Sequence, residues 1–115
     1  MRVAVTGSRH GKPTHADAWA LRVALTMLGC TTLLHGGASG YDEWSGRVAD
    51  RLGIPVEVFS ADWSQGRKAG PIRNRRMLAT ADHLIALPGG DGTKDCTRAA
   101  ESMGIPVTRI RPRCR

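Results

Sequence analysis

Hydrophobic positions along the chain follow two rhythms. Short apolar runs occur at Val3-Ala4-Val5, Thr31–His35, Pro55–Phe59, His83–Leu87 and Ile105–Thr108. Runs of this length, unbroken by polar alternation and bounded by turn residues, predict strands buried on both faces. Between them the spacing is helical. In residues 14–29 the residues Ala16, Trp19, Ala20, Val23, Ala24, Met27 and Leu28 recur at three- and four-residue steps. That stripe predicts a helix with this face inward, capped by Thr14 and stopped at Gly29. A second helix is expected over 41–52, with Trp44, Val48 and Leu52 inward and Gly53 as its stop. Residues 60–70 read as a polar loop and 72–80 as a short basic helix opened by Arg73. The last helix is expected over 93–103, opened by Thr93, with Cys96, Ala99, Ala100 and Met103 inward and Gly104 at its end.

Strands alternating with helices predict an α/β fold, a doubly wound parallel sheet of five strands in the order 3-2-1-4-5. The 115 residues are expected to form one domain over 1–108, followed by a basic tail over 109–115. No apolar run approaches the roughly 18 residues of a membrane span, and the N-terminal run is too short for a secretory leader. A cytoplasmic protein with no membrane partner is expected. Cys30, Cys96 and Cys114 are odd in number and far apart, so neither a zinc site nor a disulfide framework is predicted. His10, His15 and His83 have no metal-ligand spacing and read as structural, His35 at the end of an apolar strand reads as a satisfied core histidine, and no metal is expected.

Charge changes the picture only locally. The net charge is +7, yet nine of the seventeen Lys and Arg residues sit in 67–76 and 109–115, stretches without an acid. The other eight face ten acids, so two basic segments stand on a near-neutral body. Such segments attract phosphates, on nucleic acid or on a small nucleotide. The Arg109, Arg111, Arg113, Arg115 alternation would place every arginine on one side of an extended strand.

Candidate chemistry lies in the glycines. In an open α/β sheet, ligands bind beyond the carboxyl ends of the strands where strand order reverses, here between the first and fourth strands. Gly7-Ser8-Arg9 ends the first strand, Gly36, Gly37 and Gly40 follow the second, and Pro88, Gly89, Gly90, Gly92 and Thr93 follow the fourth. Glycine lets the backbone approach a ligand, and amides at a helix start favour an anion. Ser8 and Arg9 are suited to phosphate oxygens. Arg73 at a helix start opposes the dipole and invites an anionic partner, and Asn74 is a candidate contact to a base or ribose. Trp63 is a candidate stacking platform, or packs its loop. Neither GxGxxG nor GxxxxGK[ST] is present, and no cofactor is expected.

VTGSR at 5–9, LHGGASGYD at 34–42, DWSQGRKAGPIRNRRML at 62–78 and ALPGGDGTKD at 86–95 resemble the SLOG superfamily, and more closely its YspA-related branch. The resemblance implies a Rossmann-like sheet, a nucleotide or nucleotide-derived ligand such as ADP-ribose, and a homo-oligomer whose interface it does not reveal. It also implies that Arg73 holds a phosphate or sugar. More distantly similar are the lonely-guy nucleoside monophosphate phosphoribohydrolases, whose PGGxGTxxE glutamate falls here on Cys96. Asp95, Asp42 and Asp91 are the remaining candidate acids, with Arg73, Asp95 and Asp42 as catalytic candidates and Asp91 set to oppose a phosphate. A binding module is expected first. An N-glycosidase and a nucleic-acid binder are the alternatives, the latter weakened by an aromatic content of 4%.

Overall fold

A computed structural model describes residues 1–110. Five strands, β1 (Arg2–Thr6), β2 (Thr32–His35), β3 (Val56–Val58), β4 (His83–Ala86) and β5 (Val107–Arg109), form one parallel sheet in the order β3-β2-β1-β4-β5. The helices are α1 (His15–Met27), α2 (Tyr41–Arg51), α3 (Ala69–Leu78) and α4 (Asp91–Ser102), with a 3-10 segment, Trp63–Lys68, leading into α3. The strand order is the one expected, because each β–α–β crossover in such a sheet is right-handed and the chain reverses direction once.

Period-two alternation sorts the strand side chains into two cores. Val3, Val5, Leu33 and Ile85 pack with Leu21, Leu25, Tyr41, Val48 and Ala49 of α1 and α2. Ala4, Leu34 and Leu84 face the other way, onto Met77, Leu78, Cys96, Ala99 and Ala100 of α3 and α4. Both sheet faces are thus covered, which is why the middles of the three central strands are apolar without alternation, their polar residues standing at the strand ends.

The helix α1 differs from the expectation. Its buried residues are Asp17, Leu21 and Leu25, whereas Trp19, Val23 and Met27 are 69, 41 and 82% exposed. Apolar residues lie on more than one face of the helix, so the expected stripe is rotated from the buried one: Ala24 and Leu28 still pack against the core, while Trp19, Val23 and Met27 do not. Asp17 fixes the rotation. Its carboxylate accepts from the Thr14 backbone while its own amide donates to Thr14 Oγ1, a reciprocal capping box. It also meets Tyr41, whose hydroxyl is pushed upward by burial first and Asp17 second. Trp44 is half-buried and packs edge-on against Tyr41, and Met103 is exposed rather than inward.

Two helix starts also move. The helix α3 begins at Ala69, so Arg73 is its fifth residue and not its opening one. Pro71 is tolerated because first-turn amides need no intrahelical partner. The helix α4 begins at Asp91 with Gly90 as N-cap, so Thr93 is its third residue. Arg109, expected to open the tail, lies in β5 and pairs with Glu101. Arg111, Arg113, Arg115 and Cys114 lie outside the described residues. No helix among the described residues is long and apolar enough to cross a membrane.

Candidate functional site

The loops after β1, β2 and β4 meet at one sheet edge, tied together by the first. The Ser8 amide donates to Pro88 O at 2.9 Å, and the Tyr41 amide donates to Ser8 O at 3.3 Å. The Ser39 hydroxyl donates to Arg9 O at 3.2 Å. Beside this junction, on the α3–α4 side of the sheet, opens a cleft of about 520 Å³.

Among the expected residues, Gly7, Ser8, Arg9, Gly36, Asp42, Arg73, Asn74, Gly90, Gly92, Thr93 and Asp95 line this cleft. The others have work in the chain itself. Gly37 turns with positive φ beside Val58, and Gly40, also at positive φ, leaves only 2.5 Å between a would-be Cβ and Ser8 O. Pro88 and Gly89 line a smaller hollow on the far side of Thr93, and a Cβ on Gly89 would strike the Thr93 side chain.

The loop after β2 is closed upon itself. The Asp42 carboxylate, 5% exposed, accepts from the Gly36 amide at 3.1 Å and the Ala38 amide at 3.3 Å. Burial dominates its titration and pushes its carboxyl up to about 6; the Ala38 amide, Arg73 and the Gly36 amide pull the other way. His35, at the end of β2, is a buried structural histidine. Its Nδ1 accepts from the Gly37 amide at 2.9 Å, and burial lowers its pKa.

Arg73 spans the cleft floor. Its Nη1 donates to Gly36 O at 2.6 Å and Phe59 O at 3.3 Å, and its Nε donates to Asn74 Oδ1 at 3.0 Å. Gly36 has no side chain because a Cβ there would occupy the guanidinium's place. Asn74 is buried at the cleft wall. Its Nδ2 donates to Asp95 Oδ2 at 3.2 Å and Gly92 O at 3.4 Å, fastening α3 to the start of α4. Asp95 also pairs with Arg75 at 3.3 Å. Cys96 points instead into the core, where burial raises its thiol to about 11. The carboxylate on the cleft wall near the expected glutamate position is therefore Asp95, one residue earlier.

The start of α4 is open. Gly90 gives no side-chain cap, and the first intrahelical donation comes from Lys94, to Gly90 O at 3.0 Å. The amides of Asp91, Gly92 and Thr93 have no protein acceptor among the described residues. Neither Gly90 nor Gly92 has positive φ, and a Cβ on either would meet nothing within 4 Å. The chain itself gives no steric reason for glycine at these two cleft positions.

Several lining residues escaped the sequence reading. Thr6 and Met77 are strand-end and helix core positions that border the cleft, and Arg67, Gly70 and Pro71 arrive with the 3-10 segment and α3. The segment is helical where a loop is expected, capped by Asp62 and interrupted by Gly66. His10, read as structural, also lines the cleft, as does Trp63, which is 57% exposed. Among the described residues no three His, Cys, Asp or Glu side chains converge to hold a metal.

A parallel 3-2-1-4-5 sheet with its cleft at the switch point defines a Rossmann-like α/β protein. The chain belongs to the YspA, cpYpsA-related SLOG family, whose model matches residues 1–66. It is 39% identical over 117 positions to the Gene 61 protein of Mycobacterium phage D29, covering 92% of this chain and 93% of that one. The X-ray structure of TM1055, a structural genomics target, superposes with a TM-score of 0.72 at 21% identity, covering 92% of this chain and 71% of that one. This last likeness concerns the fold. Family membership points to nucleotide-related binding or hydrolysis without naming a ligand.

Proposed function

We propose that the protein binds a nucleotide or nucleotide-derived ligand, ADP-ribose-like or a nucleoside phosphate, with a phosphate at the start of α4. The observation that carries this reading is the uncapped first turn of a twelve-residue helix, opening into the cleft at Gly90 and Gly92, with the exposed Asp91 carboxylate between them turned to solvent when an anion binds. Three unpaired amides at the positive end of a helix dipole favour an anion. Arg9, Arg67 and Arg73 on the same cleft add positive charge, and the exposed ring of Trp63 offers a face to a nucleobase. The lining mixes these few polar groups with Val5, Met77 and Pro71, as small-molecule sites do.

The test is a thermal-shift and calorimetric panel of AMP, GMP, CMP, ADP-ribose, adenosine and inorganic phosphate. Phosphorylated nucleosides are expected to raise the melting temperature and adenosine to do so far less. No shift with any phosphorylated compound defeats the reading.

A second reading, N-glycoside hydrolysis, is favoured by one observation. Asp42, with its carboxyl near 6, and Asp95 line the same cleft, and a pair of carboxylates suits an oxocarbenium-like transition state. It predicts free base released from a nucleoside monophosphate and lost in Asp95→Asn. A ligand that binds unchanged selects the first reading.

A further inference from the structure

One oxygen of the buried Asp42 carboxylate is occupied and the other is not. Both amides that hold it, of Gly36 at 3.1 Å and Ala38 at 3.3 Å, donate to Oδ2. Oδ1 has no protein donor among the described residues. No side-chain oxygen shut away from solvent there lacks a partner, so Oδ1 faces an opening, and the opening at Asp42 is the cleft. Two amides on one oxygen offset the burial of this carboxylate only in part, which is why burial still dominates its titration. Its second oxygen is an acceptor without a donor.

The cleft floor fixes where that donor must stand. A run of hydrogen bonds leads from the start of α4 to Asp42. Gly92 O accepts from Asn74 Nδ2, Asn74 Oδ1 from Arg73 Nε, Gly36 O from Arg73 Nη1, and Asp42 Oδ2 from the Gly36 amide. Each bond holds the next group in place, so the separation between the first turn of α4 and Oδ1 is preset. The strands that carry these two ends, β4 and β2, lie two strand spacings apart, roughly 10 Å. A hydrogen bond of about 3 Å at each end leaves room for one pentose. Arg73 Nη2 has no protein acceptor among the described residues, so an open donor shares the floor with the open acceptor. A hydroxyl pair answers both, giving one proton and accepting another, whereas a base amino group would leave the guanidinium unanswered. We propose that Asp42 is the specificity-determining residue of the cleft: its Oδ1 accepts from a 2′- or 3′-hydroxyl of the ligand's ribose, so that the protein takes ribonucleotides in preference to deoxyribonucleotides. This role rests on the phosphate reading above and on no catalytic step.

Calorimetry with AMP, GMP and CMP, each beside its 2′-deoxy and 3′-deoxy counterparts, tests this at a pH well above 6, where the carboxylate is ionised. For whichever base binds, removing the hydroxyl that Asp42 holds is expected to weaken binding on the order of tenfold or more, because a charged acceptor is left unanswered. Asp42→Asn keeps an oxygen for the two amides and turns an amino group into the cleft. It is expected to bring the ribonucleotide down to the level of its deoxy counterpart. Melting curves report whether the variant keeps its fold, and the wild-type comparison decides the matter by itself if it does not. Ribo and both deoxy forms binding alike to the wild type overturns the proposal and leaves the phosphate reading standing. A preference that survives undiminished in folded Asp42→Asn overturns it as well. No binding by any of these nucleotides removes the phosphate reading and this role with it.

Discussion

After β2 the chain turns through Gly36, Gly37 and Gly40; after β4 it turns through Gly89, Gly90 and Gly92. In composition the two turns look alike, and each leads into a helix without a side-chain cap at its N-cap residue. Physically they are opposites. The first brings its own anion: Asp42 folds back and takes the Gly36 and Ala38 amides, and Ser8 O takes the Tyr41 amide. The second carries Asp91, but this carboxylate accepts from no backbone amide of the turn, and the first-turn amides of α4 are left facing the cleft. Apart from Gly89, crowded by Thr93, the glycines divide the same way. Gly36 makes room for Arg73 and Gly40 for the backbone of Ser8 and Arg9, whereas Gly90 and Gly92 face open space. A glycine-rich strand end is therefore an anion site only where the chain has not already filled it.

Removing the internal anion should have the largest effect. Asp42→Ala leaves two amides without acceptors and is expected to cost about 3 kcal/mol of stability in urea melts. Asp42→Asn, which keeps an acceptor oxygen, should cost less than half of that.

Next comes pH. The Asp42 carboxyl titrates near 6 in the folded chain against 3.8 in an unfolded one. The folded state thus holds this proton more tightly, and the stability it contributes is complete below 3.8 and lost as pH rises towards 6. On the order of 3 kcal/mol should separate these limits. The advantage of wild type over Asp42→Asn should shrink across that window, and a difference that stays flat with pH would refute the assignment.

Filling the second turn should make it resemble the first. Gly90→Asp places a capping carboxylate at the start of α4, where φ is negative and space is free. Stability is expected to rise by about 0.5–1 kcal/mol, while AMP binding by calorimetry falls at least tenfold. Binding that persists unchanged would mean the phosphate sits elsewhere. The smallest effect is expected at the rim. Arg75→Ala breaks a half-exposed pair with Asp95 and should change stability by less than about 1 kcal/mol.

How much of this was legible in the sequence depended on the kind of constraint. The strands and their order were, because Val3-Ala4-Val5 and Leu84-Ile85 are apolar without alternation and only a sheet covered on both faces accepts that. The convergence of the three loops followed from that topology. The orientation of α1 did not, because Trp19, Val23 and Met27 repeat with the same period as Leu21, Leu25 and Leu28, and the arbiter was a buried acid, Asp17, tied to Tyr41 across the fold. The start of α3 was missed because Gly70-Pro71 reads as a break, although a first turn accepts both. Gly36 and Gly90 could not be separated by composition. Their difference rests on side chains distant in sequence, Arg73 for one and none for the other.

The outer strands, β3 and β5, are three residues each. A sheet margin this brief offers an incoming chain almost no ladder of free amides, and the charged Glu57 and Arg109 stand on those margins. Strand-by-strand growth into fibrils is thus discouraged at both ends.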